Sequence, residues 1–166
     1  MALAAAAASG LWPGRSTTMG KSLRAIVGET REKFSVEAEQ SIRDVIEYMY
    51  DKNVGAVAVR EGDAIVGVFS EKDLLRRVVR ENLDPDTTKV RVVMSSPVYW
   101  ISMDERYEVA KAIMVDKGLR HLVILDEKRN FAGFVSVREL LEADLFDSRE
   151  LVGKLNDDYY EHQFKL

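Results

Sequence analysis

Two short segments of the sequence combine a serine with an acidic residue three positions later. Ser70 precedes Asp73 in the segment GVFSEKDLL, and Ser136 precedes Glu139 in GFVSVRELL. This spacing predicts a helix capping box, in which the serine and the acidic side chain satisfy free backbone N–H groups at a helix start. A carboxylate there can also accept hydrogen bonds from the vicinal hydroxyls of a ribose. Spacing alone favours capping for both segments.

A basic pair supplies a second group of candidate residues. Arg120 and His121 lie at the mouth of a short apolar segment, and Arg138 lies just inside the helix that Ser136 would cap. A guanidinium pairs well with phosphate oxygens, and an imidazole beside it can donate a further hydrogen bond. Taken alone, an exposed arginine and a partly packed histidine are the plainer interpretation of the pair.

Two other groups of side chains have plain structural interpretations. A basic stretch on one helix is typical of a solvated face and comprises Lys72, Arg76, Arg77 and Arg80. Tyr99 and Trp100 could border a base-binding pocket, and a core or dimer contact explains them equally well.

The composition excludes several classes of protein. The chain has 166 residues, 46% of them apolar, and a formal net charge of −4 that gives no basic field to attract nucleic acid. No apolar run approaches the roughly twenty residues that a membrane span requires. With no cysteine, two histidines and no glycine-rich phosphate loop, the sequence offers no catalytic constellation and no metal-ligand spacing. We therefore expect that the protein is not an enzyme, binds no metal, is not associated with a membrane and does not bind nucleic acid as its main ligand.

The elements that must position these residues occur twice. The segment MYDKNVGAVAV, which begins at Met49, matches MVDKGLRHLVI, which begins at Met114, and a Ser-x-x-acid segment follows each copy. Apolar spacing predicts a helix that ends at Asn53 in the first copy and at Gly118 in the second. Two short apolar strands and another helix follow. The half-chains are thus variations on one unit.

A β-α-β-β-α unit in two copies, with the Ser-x-x-acid segment after its second strand, resembles the CBS (cystathionine-β-synthase-type) domain family. Two such repeats form a Bateman module, and the resemblance covers about Lys21 to Leu145. It implies an α+β fold, a tandem pair of repeats with pseudo-twofold symmetry. The expected divisions are residues 1–20 as a disordered or targeting extension, 21–83 and 84–146 as the repeats, and 147–166 as a C-terminal helical tail.

The resemblance also implies a function. It indicates a non-enzymatic regulatory or sensor module that binds an adenosine-containing nucleotide between its repeats: AMP, ADP or ATP, with NAD and S-adenosylmethionine as further options and no covalent cofactor. Asp73 would hold the ribose as well as cap its helix, whereas Glu139 would only cap. Arg120 and His121 would reach the phosphate from the opposite repeat, and Arg138 could add a cation.

The two candidate sites are therefore unequal, because the one at Glu139 faces uncharged residues. The candidate ligand-binding residues are Gly55, Ala56, Ser70, Asp73, Arg120, His121, Ser136 and Arg138. We expect one strong site per chain, a homodimer and an unknown regulated partner. The alternative is a ligand-free structural or protein-interaction module with vestigial sites. The expected compartment is the cytoplasm, or an organellar matrix if residues 1–20 are a transit peptide.

Overall fold

The computed structural model describes residues 21–28, 32–146 and 148–149. The expected extension, residues 1–20, lies outside the described residues, as does the expected helical tail, 147–166, apart from 148 and 149. In chain order the elements are α1 (Leu23–Val27), β1 (Ser35–Glu37), α2 (Ile42–Lys52), β2 (Ala56–Glu61), β3 (Ala64–Ser70), α3 (α-helical Glu71–Asp73 continuing as π-helical Leu74–Val79), α4 (Val90–Val93), β4 (Trp100–Ser102), α5 (Tyr107–Lys117), β5 (His121–Leu125), β6 (Phe131–Ser136) and α6 (residues 137–146).

The two longest helices, α2 and α5, end as their sequences predict. The Ser41 hydroxyl accepts a hydrogen bond from the backbone N–H of Asp44, 3.1 Å away, and so caps the start of α2. Asn53 (φ 52°) ends α2 and Gly118 (φ 62°) ends α5, both in the left-handed conformation that those residue types tolerate best. The predicted helix ends are confirmed at equivalent positions of both repeats.

Each repeat has its own three-stranded sheet. In the first sheet β1 pairs parallel with β2, and β2 pairs antiparallel with β3. The second sheet repeats this arrangement with β4, β5 and β6. The predicted α+β tandem fold is confirmed. Because β3 and β6 lead directly into α3 and α6, each sheet places a helix start beside the first residues of its central strand.

Each repeat has its own apolar core, and the two cores share the same plan. The first is built on Ile42, Val45, Met49, Val57, Val59 and Phe69, and the second on Tyr107, Ala110, Met114, Leu122, Ile124 and Val135. Met49 and Met114, which the repeat makes equivalent, are both buried. The buried residues of α2 and α5 thus occupy equivalent positions, and each set packs in the core of its own repeat.

The short helices α1 and α4 are exchanged between the repeats. Leu23 of α1 is fully buried in the second core, and its backbone N–H bonds to the carbonyl of Glu105 at 2.8 Å. Val90 of α4 is fully buried in the first core, and its N–H bonds to the carbonyl of Gln40 at 3.0 Å. Each repeat is thus completed by a segment that precedes the other repeat, which ties the two units together.

No helix within the described ranges is both long enough and apolar enough to cross a membrane.

Candidate functional site

A cleft of about 290 Å³ lies where the two repeats meet. Four segments line it: the start of β2, the end of β3 with the first turns of α3, the connection before β4, and the chain leading into β5. The first two segments come from the first repeat and the last from the second. A molecule in this cleft would contact both repeats at once.

Asp73 is the one charged residue that is buried among those described, with 8% of the residue exposed. Its Oδ2 accepts the backbone N–H of Ser70 at 3.0 Å and the Ser70 hydroxyl at 2.6 Å. Its Oδ1 accepts the Ser95 hydroxyl at 2.8 Å and lies 3.6 Å from Nε of Arg77. The predicted capping box is confirmed. An ionised carboxylate has about four acceptor positions, so Oδ1 keeps capacity for one ligand hydroxyl.

Hydrogen bonds and side-chain packing hold the connection before β4 against the first repeat. Ser95 and Val68 exchange two backbone hydrogen bonds, of 2.7 and 3.0 Å. Arg77 donates a hydrogen bond to the carbonyl of Val93 at 3.1 Å. Met94 packs so closely over Gly67 that a Cβ there would lie 2.2 Å from the methionine sulfur. These contacts place the Ser95 hydroxyl on Asp73 and put Pro97, with a cis peptide bond before it, in the cleft wall.

Arg120 and His121 line the cleft from the second repeat, whereas Asp73 lines it from the first, as the resemblance implies. A Cβ built on Gly55 would lie 3.4 Å from Oε2 of Glu71 and 3.6 Å from Cε1 of His121, so the side chains of these two residues converge on the glycine. Ala56 is buried beside it and also lines the cleft. A residue larger than glycine at position 55 would narrow this end of the cleft.

The imidazole of His121 is mostly neutral near pH 7. Burial lowers the pKa of His121 below its ordinary value; the nearby Glu71 carboxylate opposes that shift, and Arg120 adds to it. A neutral imidazole donates from one nitrogen and accepts at the other. His121 therefore offers a hydrogen bond to a ligand without a fixed charge, while Arg120 supplies the charge.

The structure places the remaining predicted residues away from this cleft. Ser136 and Glu139 form the equivalent pair, with Oε2 of Glu139 2.8 Å from the Ser136 backbone nitrogen and 2.7 Å from its hydroxyl. Arg138 is largely exposed and donates to Glu142 at 2.8 Å. Six of the eight predicted ligand-binding residues thus line one cleft, and Ser136 and Arg138 do not. The binding role of all eight stays a prediction.

The structure adds cleft residues that the sequence did not single out for binding. Ser95 follows the linker in an irregular segment, where neither periodicity nor a capping pattern marks it. Lys72, Arg76 and Arg77 were expected on a solvated helix face, and all three line the cleft. Of that basic stretch only Arg80 lies outside it. Tyr99, a candidate for a base pocket, also lines the cleft.

Within the described part of the chain, no group of histidine and acidic side chains is arranged to hold a metal ion.

Comparison with curated proteins finds relatives among CBS-domain proteins and uncharacterized proteins. An uncharacterized protein of Methanopyrus kandleri is 28% identical over 92% of this chain and 73% of its own length. The mitochondrial CBS domain-containing protein CBSX3 of Arabidopsis thaliana is 28% identical over 71% of this chain. The match spans 59% of that Arabidopsis protein, so about three fifths of its length has a counterpart here.

Solved structures share the fold. A CBS-domain protein of Burkholderia ambifaria superposes with a TM-score of 0.72 at 26% identity, covering 76% of this chain and 96% of its own. A CBS domain protein of Pyrobaculum aerophilum, solved in complex with AMP, has a TM-score of 0.63 at 24% identity over 72% of this chain and 89% of its own.

The family model described as "CBS domain" matches the sequence twice, at residues 24–80 and 90–145. The two matches cover more than half of the chain and coincide with the two repeats of the sequence and of the structure. The chain therefore belongs to the CBS domain family, as a tandem pair of CBS domains.

Proposed function

We propose that this CBS-domain pair is a non-enzymatic regulatory or sensor module that binds an adenosine-containing nucleotide, of AMP or ATP type, in the cleft between its repeats. The observation that carries the proposal is the convergence of Asp73, Arg120 and His121 from opposite repeats on one cleft of about 290 Å³. That volume lies near the lower end of the range for small-molecule sites.

The parts of the cleft match the parts of a nucleotide. Asp73 is buried and held in place by Ser70 and Ser95, so a ribose hydroxyl would meet an acceptor that is already oriented. Arg120, which no described residue engages in an ion pair, is available to a phosphate. Val98 and Tyr99 give an apolar and aromatic wall against which a base could pack.

Binding in this cleft would act through the relative position of the repeats. The ligand would contact α3 of the first repeat and the chain before β5 of the second. Because a ligand favours the arrangement that it binds best, occupancy would stabilise one orientation of the two repeats and so bias a partner protein. The AMP complex of the Pyrobaculum relative supports a ligand of this class, and the regulated partner is unknown.

We also propose that the chain forms a homodimer through its exposed apolar helix faces. Large apolar side chains are exposed at equivalent positions of the two repeats: Tyr50, Leu75 and Val79 on α2 and α3, and Val115, Leu141 and Leu145 on α5 and α6. A groove of about 310 Å³ between α5 and α6 continues the second face. Contiguous apolar surface of this kind marks a protein contact, and a second copy supplies a matching face.

The proposed compartment is the cytoplasm, with an organellar matrix as the alternative. The mitochondrial Arabidopsis relative supports that alternative.

Calorimetric titration with AMP tests the proposed site. We expect Asp73→Ala and Arg120→Ala each to weaken AMP binding by about ten- to a hundredfold, since each loses a charge-assisted hydrogen bond worth roughly 1.5 to 3 kcal/mol. The matched control is Glu139→Ala, which removes the equivalent cap in the other repeat and should leave AMP affinity unchanged. Equal AMP affinity in Asp73→Ala and the parent protein would show that the carboxylate only caps α3. No AMP binding to the parent protein would favour the ligand-free interaction module.

A further inference from the structure

The two repeats reverse the order of one valine and one phenylalanine at the end of their last strands. The first repeat has Val68 followed by Phe69, and the second has Phe134 followed by Val135. Neighbouring residues of a strand point to opposite faces of its sheet, and Phe69 and Val135 are the two that are buried in the apolar cores. Val68 and Phe134 therefore lie on the other face, where the second repeat has an aromatic ring in place of a small aliphatic side chain.

This other face carries cleft residues. In the first repeat Val68 pairs with Ala58 and lines the cleft. In the second repeat Phe134 pairs with Val123, which follows His121 by two residues on β5. Residues two apart on a strand share a face, so Phe134 is the diagonal cross-strand neighbour of His121, within reach of an aromatic side chain.

The rings of Phe134 and His121 meet edge to face. Their centroids are 6.4 Å apart and their planes make an angle of 84°. This distance lies within the roughly 4.5 to 7 Å that aromatic pairs prefer. Phe131 packs against Phe134 in the same way, with centroids 5.5 Å apart and planes at 76°. The imidazole therefore lies beside a phenyl ring that is itself held in place.

The same imidazole lies against the first repeat on the cleft side. Its Cε1 is 3.6 Å from the position of a Cβ built on Gly55, and Oε2 of Glu71 is 3.4 Å from that position. Contacts from both repeats thus fix the place of the ring. Because a hydrogen bond weakens steeply as its angle departs from linear, the orientation of this ring decides whether it can donate to a ligand in the cleft.

We propose that Phe134 is a positioning residue, which holds the imidazole of His121 in the orientation that donates a hydrogen bond to the phosphate of a bound nucleotide. Phe134 does not itself line the cleft, so it acts through His121. This inference rests on the proposed function and adds a residue that determines affinity from outside the ligand's reach. The alternative is that Phe134 only fills space on its sheet.

A double-mutant cycle with calorimetric titration of AMP separates the two roles. Phe134→Val, which introduces the residue that the first repeat has at this position, should weaken AMP binding by about two- to tenfold, the range of one neutral hydrogen bond. Phe134→Tyr keeps the ring and should restore the affinity to within about twofold of the parent. In the His121→Ala background, Phe134→Val should cause no further loss, because the group on which it acts is absent.

The outcomes of this cycle distinguish the inference from the proposed function. Equal AMP affinity in Phe134→Val and the parent protein would overturn the inference and leave the proposed function standing. A loss of the same size with and without His121 would also overturn it, since Phe134 would then act by another route. No AMP binding to the parent protein would overturn both.

Proton NMR of the imidazole gives a readout that space filling alone does not move. The chain has two histidines, so the His121 resonances can be assigned by comparison with His121→Ala. In Phe134→Val the pKa of His121 should rise toward its ordinary value, because burial is the largest cause of its lowering. The charged groups lining the cleft stay the same in this variant: Glu71, Lys72, Asp73, Arg76, Arg77 and Arg120. An unchanged titration and chemical shift of His121 in the folded variant would overturn the positioning role. The thermal unfolding midpoint establishes that each variant is folded.

Discussion

Asp73 and Glu139 are equivalent residues that differ by one methylene group and by their surroundings. Both accept the backbone N–H and the hydroxyl of the serine three positions earlier, so both cap a helix. Asp73 also binds Ser95 and lies in a cleft with cations from both repeats. The capping role could be predicted from spacing because the motif is local. The contact with Ser95 could not, since it depends on how a connection 22 residues later packs.

The pH dependence of stability follows from His121. Its pKa is lowered in the folded protein, mainly by burial, whereas in the unfolded chain it is about 6.5. The unfolded state therefore binds more protons as the pH falls below about 6.5, and the free energy of unfolding decreases until the lower folded pKa is reached. Above that window this residue adds no pH dependence.

We expect His121→Gln to remove this part of the acid sensitivity. Urea unfolding at pH values between about 7.5 and 5 should give a shallower loss of stability in His121→Gln than in the parent protein. His162→Gln changes the only other histidine and serves as the control. Parallel pH profiles for the parent and His121→Gln would show that the imidazole is not desolvated.

At the scale of elements, prediction succeeded where the sequence pattern is local and periodic. Each of the helices α2 and α5 is specified by a segment of 11 residues that carries an apolar stripe, followed by a residue that ends it, Asn53 or Gly118. This pattern occurs twice in the chain. The exchange of α1 and α4 could not be predicted. These helices have 5 and 4 residues, too few to show a period, and their partners lie in the opposite repeat.

The exposed faces of the helices predict how two copies associate. Val115 is 84% exposed and Leu141 is 54% exposed beside the groove between α5 and α6. In Val115→Glu/Leu141→Glu a dimer would have to bury unpaired carboxylates, which costs on the order of several kcal/mol. We expect the parent protein to be a dimer by light scattering and this variant to be a monomer.

Val92→Glu is the matched control for that experiment. Val92 is 67% exposed on α4, outside the four helices of the proposed interface, and its variant should stay dimeric. A parent protein that is monomeric at every concentration, or a control that dissociates as readily as the interface variant, would rule out this face as the dimer contact.

At the scale of the whole molecule, two copies of one unit form one cleft with unequal halves. The repeat could be read from the sequence because Met49 to Val59 and Met114 to Ile124 match along their length. The difference between the two candidate sites could also be predicted from the sequence. The first repeat has Gly55 and Ala56 at the positions where the second repeat has Arg120 and His121. The position of Lys72 and Arg76 in the cleft could not be predicted from the sequence. The sequence shows that the two cations lie on one helix, but it does not show which side of that helix borders the cleft.

Native mass spectrometry of the full chain titrated with AMP tests the central claim most directly, because it counts bound nucleotides on each 18.8 kDa chain. A single working cleft predicts one AMP per chain at saturation of the parent protein. At the same AMP concentration the bound fraction should fall sharply in Asp73→Ala and stay unchanged in Glu139→Ala. Two AMP molecules per chain would contradict the inequality of the two sites. A chain that takes up no AMP at any concentration while folded would contradict nucleotide binding in this cleft.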